Sequence, residues 1–376
     1  MRSVVVIGLG LIGASLAVAL KRGDAVFVSG FDQDQARTEE ALQLGLIHRM
    51  LDNTTLTPAL EAADAIILAM PVGEILRFLP ELAQKKLKPG VMITDVGSTK
   101  KSIVDLAERL FARDDVLFIG GHPMAGSHKS GLAAARADLF ENAYYVLVPT
   151  RKAKDHEVLE ELLRPTRAKF VVMEADVHDQ VVAVVSHMPH LLAALMVDDL
   201  RERAAYEPWF KLLAAGGFKD MTRIAAANPV MWRDILLDNR ERLISLIDGW
   251  HRQLQMYKKA LLDDDGETLA DLFRRAGDFR RRLPEKRSGA VRPAYDLYLD
   301  IPDQPGMIGH VTTLLGDAGI NLVNIEIMEL REDIMGVLRL AFRSDGDLKR
   351  AAVMLQDAGF RLHSLETQHD PVHPLS

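Results

Sequence analysis

The chain is predicted to fold as an α/β domain on a Rossmann-type parallel sheet, then an all-helical domain, then a small C-terminal ferredoxin-like domain of order βαββαβ. Three observations predict this. Up to about residue 150, short apolar runs alternate with helical patterns, as in a parallel sheet covered on both faces. Strand signals then give way to long stretches with apolar residues at helical spacing. Near the C-terminus strands and helices return in a short alternation.

Candidate strands of the first domain are Ser3–Ile7, Val26–Phe31, Ala65–Ala69, Val91–Thr94, Leu117–Ile119 and Tyr144–Val148, with helical patterns such as Leu11–Arg22 and Ile103–Phe111 between them. Lys169–Val172 is one more short apolar run. His178–Arg203, Val230–Leu262 and Glu267–Arg282 read as helices. Helices this long and apolar need a partner surface, so a homodimer is expected. The polar stretch Leu283 to Pro293 carries two prolines and a glycine and ends the helical periodicity. Tyr295–Ile301 then reads as a strand, Met307–Ala318 as a helix, Ile320–Leu330 and Ile334–Phe342 as strands, Leu348–Ala358 as a helix and Phe360–Glu366 as a strand. The expected division is 1–165, 166–285, a linker at 286–294, and 295–370, with His369–Ser376 a loose tail.

Composition narrows the function. The 376 residues carry 46 Lys+Arg against 53 Asp+Glu, a net charge of −7, with no basic tract. Such a chain is a poor nucleic-acid binder. Cysteine is absent, which excludes disulfides, thiolate metal sites and a cysteine nucleophile and fits a reducing compartment. The apolar run in Met1–Leu20 has the outline of a signal peptide. Its glycines fall at fixed spacing and it is too short and glycine-rich to span a membrane. No other stretch approaches spanning length, so no membrane association and a cytoplasmic location are expected.

Gly8-Leu9-Gly10-Leu11-Ile12-Gly13 is G-x-G-x-x-G between a strand and a helix, the context of a dinucleotide-binding turn. Gly8 allows the tight turn, Gly10 lets the backbone approach a pyrophosphate, and Gly13 lets helix and strand pack closely. Asp32 ends the second strand, where a carboxylate accepts ribose hydroxyls and repels a 2′-phosphate. No Arg directly follows it; the neighbours are Gln33 and Asp34. The cofactor is therefore NAD rather than NADP. Met70-Pro71, after a later strand, falls beside the nicotinamide side in such a fold.

Two further loops fall at carboxyl ends of strands, where these sheets bind ligands. One holds Ser98, which reads as an N-cap for the next helix or as a functional hydroxyl. The other holds His122, flanked by glycines that leave space for a ligand. The helical region adds His178-Asp179, then His187 and His190 at helical spacing. The two histidines have no third or fourth ligand at zinc-like spacing, so no metal is expected. Gly216 opens a stretch in which Asp220 precedes Arg223 by three residues. A guanidinium fixed by a carboxylate can grip a substrate carboxylate bidentately. Near the C-terminus, Asp303-Gln304-Pro305-Gly306-Met307-Ile308 places a glycine loop at a helix start, where N–H groups can meet a carboxylate. Asn321, near the next strand, could bind an amino or carboxylate group.

Together GLGLIGASLA, DVGSTK, GGHPMAGSHKSG, HDQVVAVVSHMPH and GGFKDMTRIAAANPVMW resemble the prephenate dehydrogenase family over most of residues 1–285. DIPDQPGMIGHV and GINLVNIEI look like an ACT domain, a module that typically binds amino-acid effectors. The resemblance implies NAD-dependent oxidative decarboxylation of prephenate to 4-hydroxyphenylpyruvate. It makes His122 the catalytic base, Ser98 a group orienting His122 and the substrate hydroxyl, and Arg223 the carboxylate ligand. His190, His187 and His178 match substrate-pocket histidines, and Asp179 and Asp220 match groups that hold His or Arg in place. It also implies L-tyrosine as feedback effector, bound at 303–308 and Asn321. Arogenate dehydrogenase, a hydroxy-acid dehydrogenase and a non-catalytic NAD- and amino-acid-sensing regulator are the competing readings.

Overall fold

The computed structural model describes the chain apart from residues 24–25, 112–114, 127–130, 152, 154, 284–294, 303, 329–335, 343 and 364–376. It divides into two units, Met1–Leu283 and Pro284–Ser376. The expected linker and tail lie outside the described residues.

The first unit is built on an eight-stranded sheet: β1 (Arg2–Ile7), β2 (Val26–Phe31), β3 (Arg49–Met50), β4 (Ala65–Leu68), β5 (Val91–Asp95), β6 (Val116–Pro123), β7 (Tyr144–Pro149) and β8 (Lys169–Val172). The order is β3-β2-β1-β4-β5-β6-β7-β8. Val4, Val5 and Val6 of the central strand are all fully buried, because helices cover both faces. Val5 joins one core with Ile66, Ile93 and Phe118. Val4 and Val6 join the other with Leu16, Ile67 and Tyr145.

Two features depart from the expected sheet. β7 runs antiparallel to β6, with His122 opposite Val146. Among the described residues the segment between them carries only the short 3₁₀ turn Leu132–Ala134, whereas a parallel return usually runs through a helix. The sheet also extends through β8, which pairs in parallel with β7 from Tyr144↔Lys169. β3, only two residues long, gave no periodic signal.

The helical region contains Ala175–Val182, a π-turn at Ala183–His187 and Met188–Ala204 in unbroken succession. This 30-residue run, Ala175–Ala204, is long and apolar enough to cross a membrane, which the sequence reading overlooked. Its polar His178, Asp179 and His187 are buried inside the protein, whereas Val177, Val181, Val184, Val185 and Leu195 are exposed. The expected helix Val230–Leu262 is broken at Asn239, between Pro229–Asp238 and Arg240–Leu262. Trp209, Phe210, Leu254, Phe273 and Phe279 of this region are exposed, the kind of apolar surface that marks an interface.

The second unit is a four-stranded antiparallel sheet of β9 (Tyr295–Ile301), β10 (Leu322–Met328), β11 (Gly336–Phe342) and β12 (Leu362–His363) in the order β10-β11-β9-β12. Helices Met307–Asp317 and Asp345–Asp357 pack Val311, Leu315, Ala351 and Leu355 onto Leu299, Leu338 and Leu340. This is the βαββαβ arrangement that was expected.

One buried ion pair ties the first sheet together at its carboxyl edge. Lys100 Nζ pairs with Asp95 at the end of β5, and both side chains are fully buried. Asp95 also accepts from Gly97 N at 2.8 Å and Gly121 N at 3.2 Å. Removing one partner of such a pair leaves an uncompensated buried charge, which costs about 3–5 kcal/mol. Lys100→Met should therefore lower unfolding stability by that amount in a urea titration; a loss under about 1 kcal/mol would show that the pair does not support the fold.

Candidate active site

The glycine turn sits between β1 and β4, where the strand order reverses and such sheets bind nucleotides. Gly8 has φ +90°, and a Cβ there would lie 2.3 Å from Ala69 O. At Gly13 a Cβ would lie 1.9 Å from Gly8 O. A Cβ on Gly10, by contrast, would have nothing within 4 Å. The outer glycines therefore bring strand and helix together, and the middle one leaves its backbone open to a ligand. Leu11 and Ile12 begin the helix Leu11–Leu20 directly behind it. Met70 packs against Gly8, and Pro71 leads into the helix Val72–Ala83.

Asp32, almost fully buried, accepts from Leu9 N at 2.8 Å and from Asp34 N at 3.0 Å. Arg37 Nη1 lies 3.1 and 3.2 Å from its two carboxylate oxygens. Asp32 thus has an arginine beside it in space although none follows it directly in the chain. The helix Gln35–Gln43 turns Arg37 back onto the strand end.

The loops after β5 and within β6 converge on a chain of side chains. His122 Nδ1 lies 2.8 Å from His178 Nε2. His178 Nδ1 lies 2.7 Å from Asp179 Oδ1. Asp179 in turn accepts from Lys100 N at 2.7 Å and Lys101 N at 2.9 Å, at the start of the helix Lys101–Leu110. A carboxylate at a helix N-terminus is stabilised by free N–H groups and by the helix dipole. Burial pushes the Asp179 carboxyl up, but hydrogen bonds from His178 and the two amides outweigh it, so it is held below the usual range. Burial lowers His178, and the Lys100 charge adds to this. Desolvation holds His122 well below 6.5, helped by His178, Lys100 and His187.

These facts fix the tautomers. Ionised Asp179 only accepts, so His178 Nδ1 carries its proton and His178 Nε2 accepts. His122 Nδ1 must then donate. The lone pair of His122 is left on Nε2, and the half-buried ring presents a neutral base. Asp–His pairs in hydrolytic triads set an imidazole by the same logic.

Two sequence readings change here. Ser98 does not cap the following helix, which has no side-chain cap of its own; Asp179 supplies the acceptor from 79 residues away. Ser98 remains in the loop beside this chain, half-buried. The glycines before His122 do not leave ligand space. A Cβ on Gly121 would lie 2.5 Å from Asp95 O and one on Gly120 3.0 Å from Val104, so they bring β6 close to β5. Gly126, after the histidine, is open.

On the long helix, His187 and His190 flank Trp232. His190 stacks on it with centroids 3.7 Å apart, and His187 meets it edge-on at 5.9 Å. His190 Nδ1 lies 2.9 Å from Ser186 O and therefore donates, leaving Nε2 as acceptor. Burial lowers His190, and the Arg223 charge lowers it further, placing Arg223 beside it. Among the described residues no ion pair joins Asp220 to Arg223, and both are exposed. The helix Gly216–Thr222 tightens to a 3₁₀ turn at Arg223, so the expected carboxylate clamp is absent and the guanidinium is free for a ligand. Gly216 begins that helix with open space at its Cα.

Asn239, Trp232, Asp95, Lys100 and Arg37 were missed as site residues. Asp95, Lys100 and Trp232 lie inside stretches that already stood out. Asn239 and Arg37 carry no spacing signal.

The profile of "Prephenate dehydrogenase, nucleotide-binding domain" matches residues 16–172, "Prephenate dehydrogenase, dimerization domain" 174–275, and "ACT domain" 295–365. A prephenate dehydrogenase of Bacillus subtilis (strain 168) is 43% identical over 93% of this chain and 94% of its own length. The structure of prephenate dehydrogenase from A. aeolicus, in complex with hydroxyphenyl propionate and NAD+, superposes with a TM-score of 0.67 at 31% identity, over 76% of this chain and 99% of that one. Synechocystis arogenate dehydrogenase superposes with a TM-score of 0.64 at 30% identity, over 75% of this chain and 100% of that one. The chain therefore belongs to the prephenate dehydrogenase family of oxidoreductases and carries a C-terminal ACT domain.

Proposed function

We propose that the chain catalyses the NAD-dependent oxidative decarboxylation of prephenate to 4-hydroxyphenylpyruvate, in the cytoplasm, as a step of tyrosine biosynthesis. The observation that carries this reading is the Asp179–His178–His122 chain, which leaves a neutral acceptor nitrogen on His122. In this reading residues 1–165 bind NAD, 166–285 bind substrate and pair with a second copy, 286–294 link, and 295–370 regulate.

The residues present fit NAD: an open backbone at Gly10, helix N–H groups at Leu11 and Ile12, and a carboxylate at Asp32 for the ribose hydroxyls. Asp32 favours NAD over NADP, and Arg37 softens that preference by partly neutralising it. Bound NAD supplies the hydride acceptor. His122 Nε2 takes the proton of the 4-hydroxyl while C4 gives up its hydride and the C4–O bond becomes a carbonyl. The ring carboxylate then leaves as carbon dioxide, its bonding electrons aromatise the ring, and His122 returns the proton to the same oxygen. Ser98 orients that hydroxyl, Arg223 and His190 hold carboxylate and ketone oxygens, and Gly216 lines the pocket.

Arogenate dehydrogenase is the second reading, favoured by the superposition on the Synechocystis enzyme. The test is NADH formation with prephenate and with arogenate in parallel. Turnover of prephenate is expected, and turnover of arogenate alone would replace this reading. His122→Asn should lower kcat about 10²–10⁴-fold with NAD affinity unchanged. Because the folded His122 loses its proton more readily than a free histidine, wild-type activity should persist through pH 6.5. It should fall only as pH drops through the lowered value, when the base becomes protonated. A variant with near-full kcat and the same acid limb would place the base elsewhere.

For regulation we propose L-tyrosine as effector of the ACT domain. Gly306, at φ +91°, turns the chain into the helix Met307–Asp317. Gln304, Pro305 and Ile308 are exposed around it, and Asn321 lies exposed before β10. Asp303 lies outside the described residues. Tyrosine titrated at fixed prephenate should inhibit the full-length protein, and Asn321→Ala should weaken that inhibition several-fold without changing activity in its absence. Equal inhibition of both proteins would move the effector site.

A further inference from the structure

The substrate-pocket reading gives His187 a contact with substrate, and the structure around it says which kind. His187 is buried on the π-turn Ala183–His187. Asn239, the residue that breaks the helical run, places Nδ2 2.9 Å from Asp179 O and 3.1 Å from His187 Nδ1. Its Oδ1 accepts from Arg242 Nη1 at 3.2 Å, and Arg242 is itself paired with Asp176.

The amide cannot be turned round. Arg242 only donates and the Asp179 carbonyl only accepts. A flipped Asn239 would put its NH₂ against the guanidinium and its oxygen against the carbonyl. Nδ2 therefore carries both short contacts, one N–H to each acceptor, and His187 Nδ1 must accept. The proton of His187 then sits on Nε2.

We propose that Asn239 is a positioning residue that locks His187 as the neutral Nε2–H tautomer, an obligate hydrogen-bond donor to a substrate oxygen. This rests on the prephenate reading for the identity of the substrate, but the tautomer does not. His122 and His187 then divide the work. One takes a proton from a hydroxyl. The other offers a proton to a carbonyl or carboxylate and never competes for the hydroxyl proton.

The surroundings keep His187 uncharged. Burial lowers it to about 4, with the charges of His178 and His190 adding to this and Asp179 opposing it. Trp232 covers the ring edge-on, and Arg242 and Asp176 face it only through Asn239.

Nitrogen NMR of the full-length, ¹⁵N-histidine-labelled protein tests the assignment without substrate. His187 should show a protonated Nε2 and a bare Nδ1 from pH 8 to 5, with no titration near 6.5. A protonated Nδ1, or a midpoint near 6.5, would overturn the proposal. Asn239→Asp preserves volume but presents only acceptors, so it should move the His187 proton to Nδ1 and raise its midpoint. It should also lower kcat/KM about 10- to 100-fold, the range for groups that orient a working imidazole, mainly through KM and with NAD affinity unchanged. Asn239→Ala, which removes the amide without imposing an acceptor on Nδ1, should lose less than Asn239→Asp. If Asn239→Asp leaves both the tautomer and KM unchanged, Asn239 only supports the fold. Absence of any NADH formation from prephenate would fail the proposed function and leave the tautomer result standing.

Discussion

The carboxylate of Asp179 is the point on which the site depends. It is buried, ionised and satisfied by three donors from two elements: the imidazole of its own neighbour and the first two amides of a helix 79 residues earlier in the chain. A charge in that position is affordable only because the N–H groups and dipole of Lys101–Leu110 replace the water it has lost. The same contacts dock the helical region onto the carboxyl edge of the sheet. Fold and chemistry thus share one group. What anchors Ala175–Val182 to the nucleotide domain also decides which nitrogen of His178, and so of His122, carries a proton.

A second buried charge supports the first. Asp95 and Lys100 close the end of β5, and Asp95 collects amides from both the Ser98 loop and the His122 strand. Lys100 sits where its side chain serves Asp95 and its backbone serves Asp179. The tight spacing of β5 and β6, with glycine at 120 and 121, brings these loops together. Lys100 also disfavours a proton on His122 and His178. The base is therefore neutral because of its surroundings.

Much of this was legible in the sequence, and the limit was distance along the chain. The glycine turn, Asp32 and the C-terminal βαββαβ order are local patterns, and local geometry delivers them. Ser98 looked like a helix cap because the rule inspects the preceding residues, whereas the cap comes from Asp179. Asp220 and Arg223 have helical spacing, but the helix tightens between them and the pair does not form. Arg37 reaches Asp32 only because a helix turns back, and Asn239 reaches His187 across 52 residues. No periodicity encodes such contacts. They emerge when polar groups that cannot be buried alone find one another.

The most direct test of this account is the pH dependence of kcat/KM for Asp179→Ala, with the fold checked by circular dichroism. Oδ1 of Asp179 meets both His178 and the Lys100 amide, and Oδ2 the Lys101 amide, so alanine removes the acceptor that holds the His178 proton on Nδ1. His178 is then released to carry its proton on Nε2 and donate to His122, moving the His122 proton onto the nitrogen that should act as base. A folded variant with kcat/KM reduced at least a hundredfold at every pH, a loss of the kind that a wrong tautomer causes in a triad, is the predicted result. A folded variant within a few-fold of wild type, with the same acid limb, would contradict the chain from Asp179 to His122.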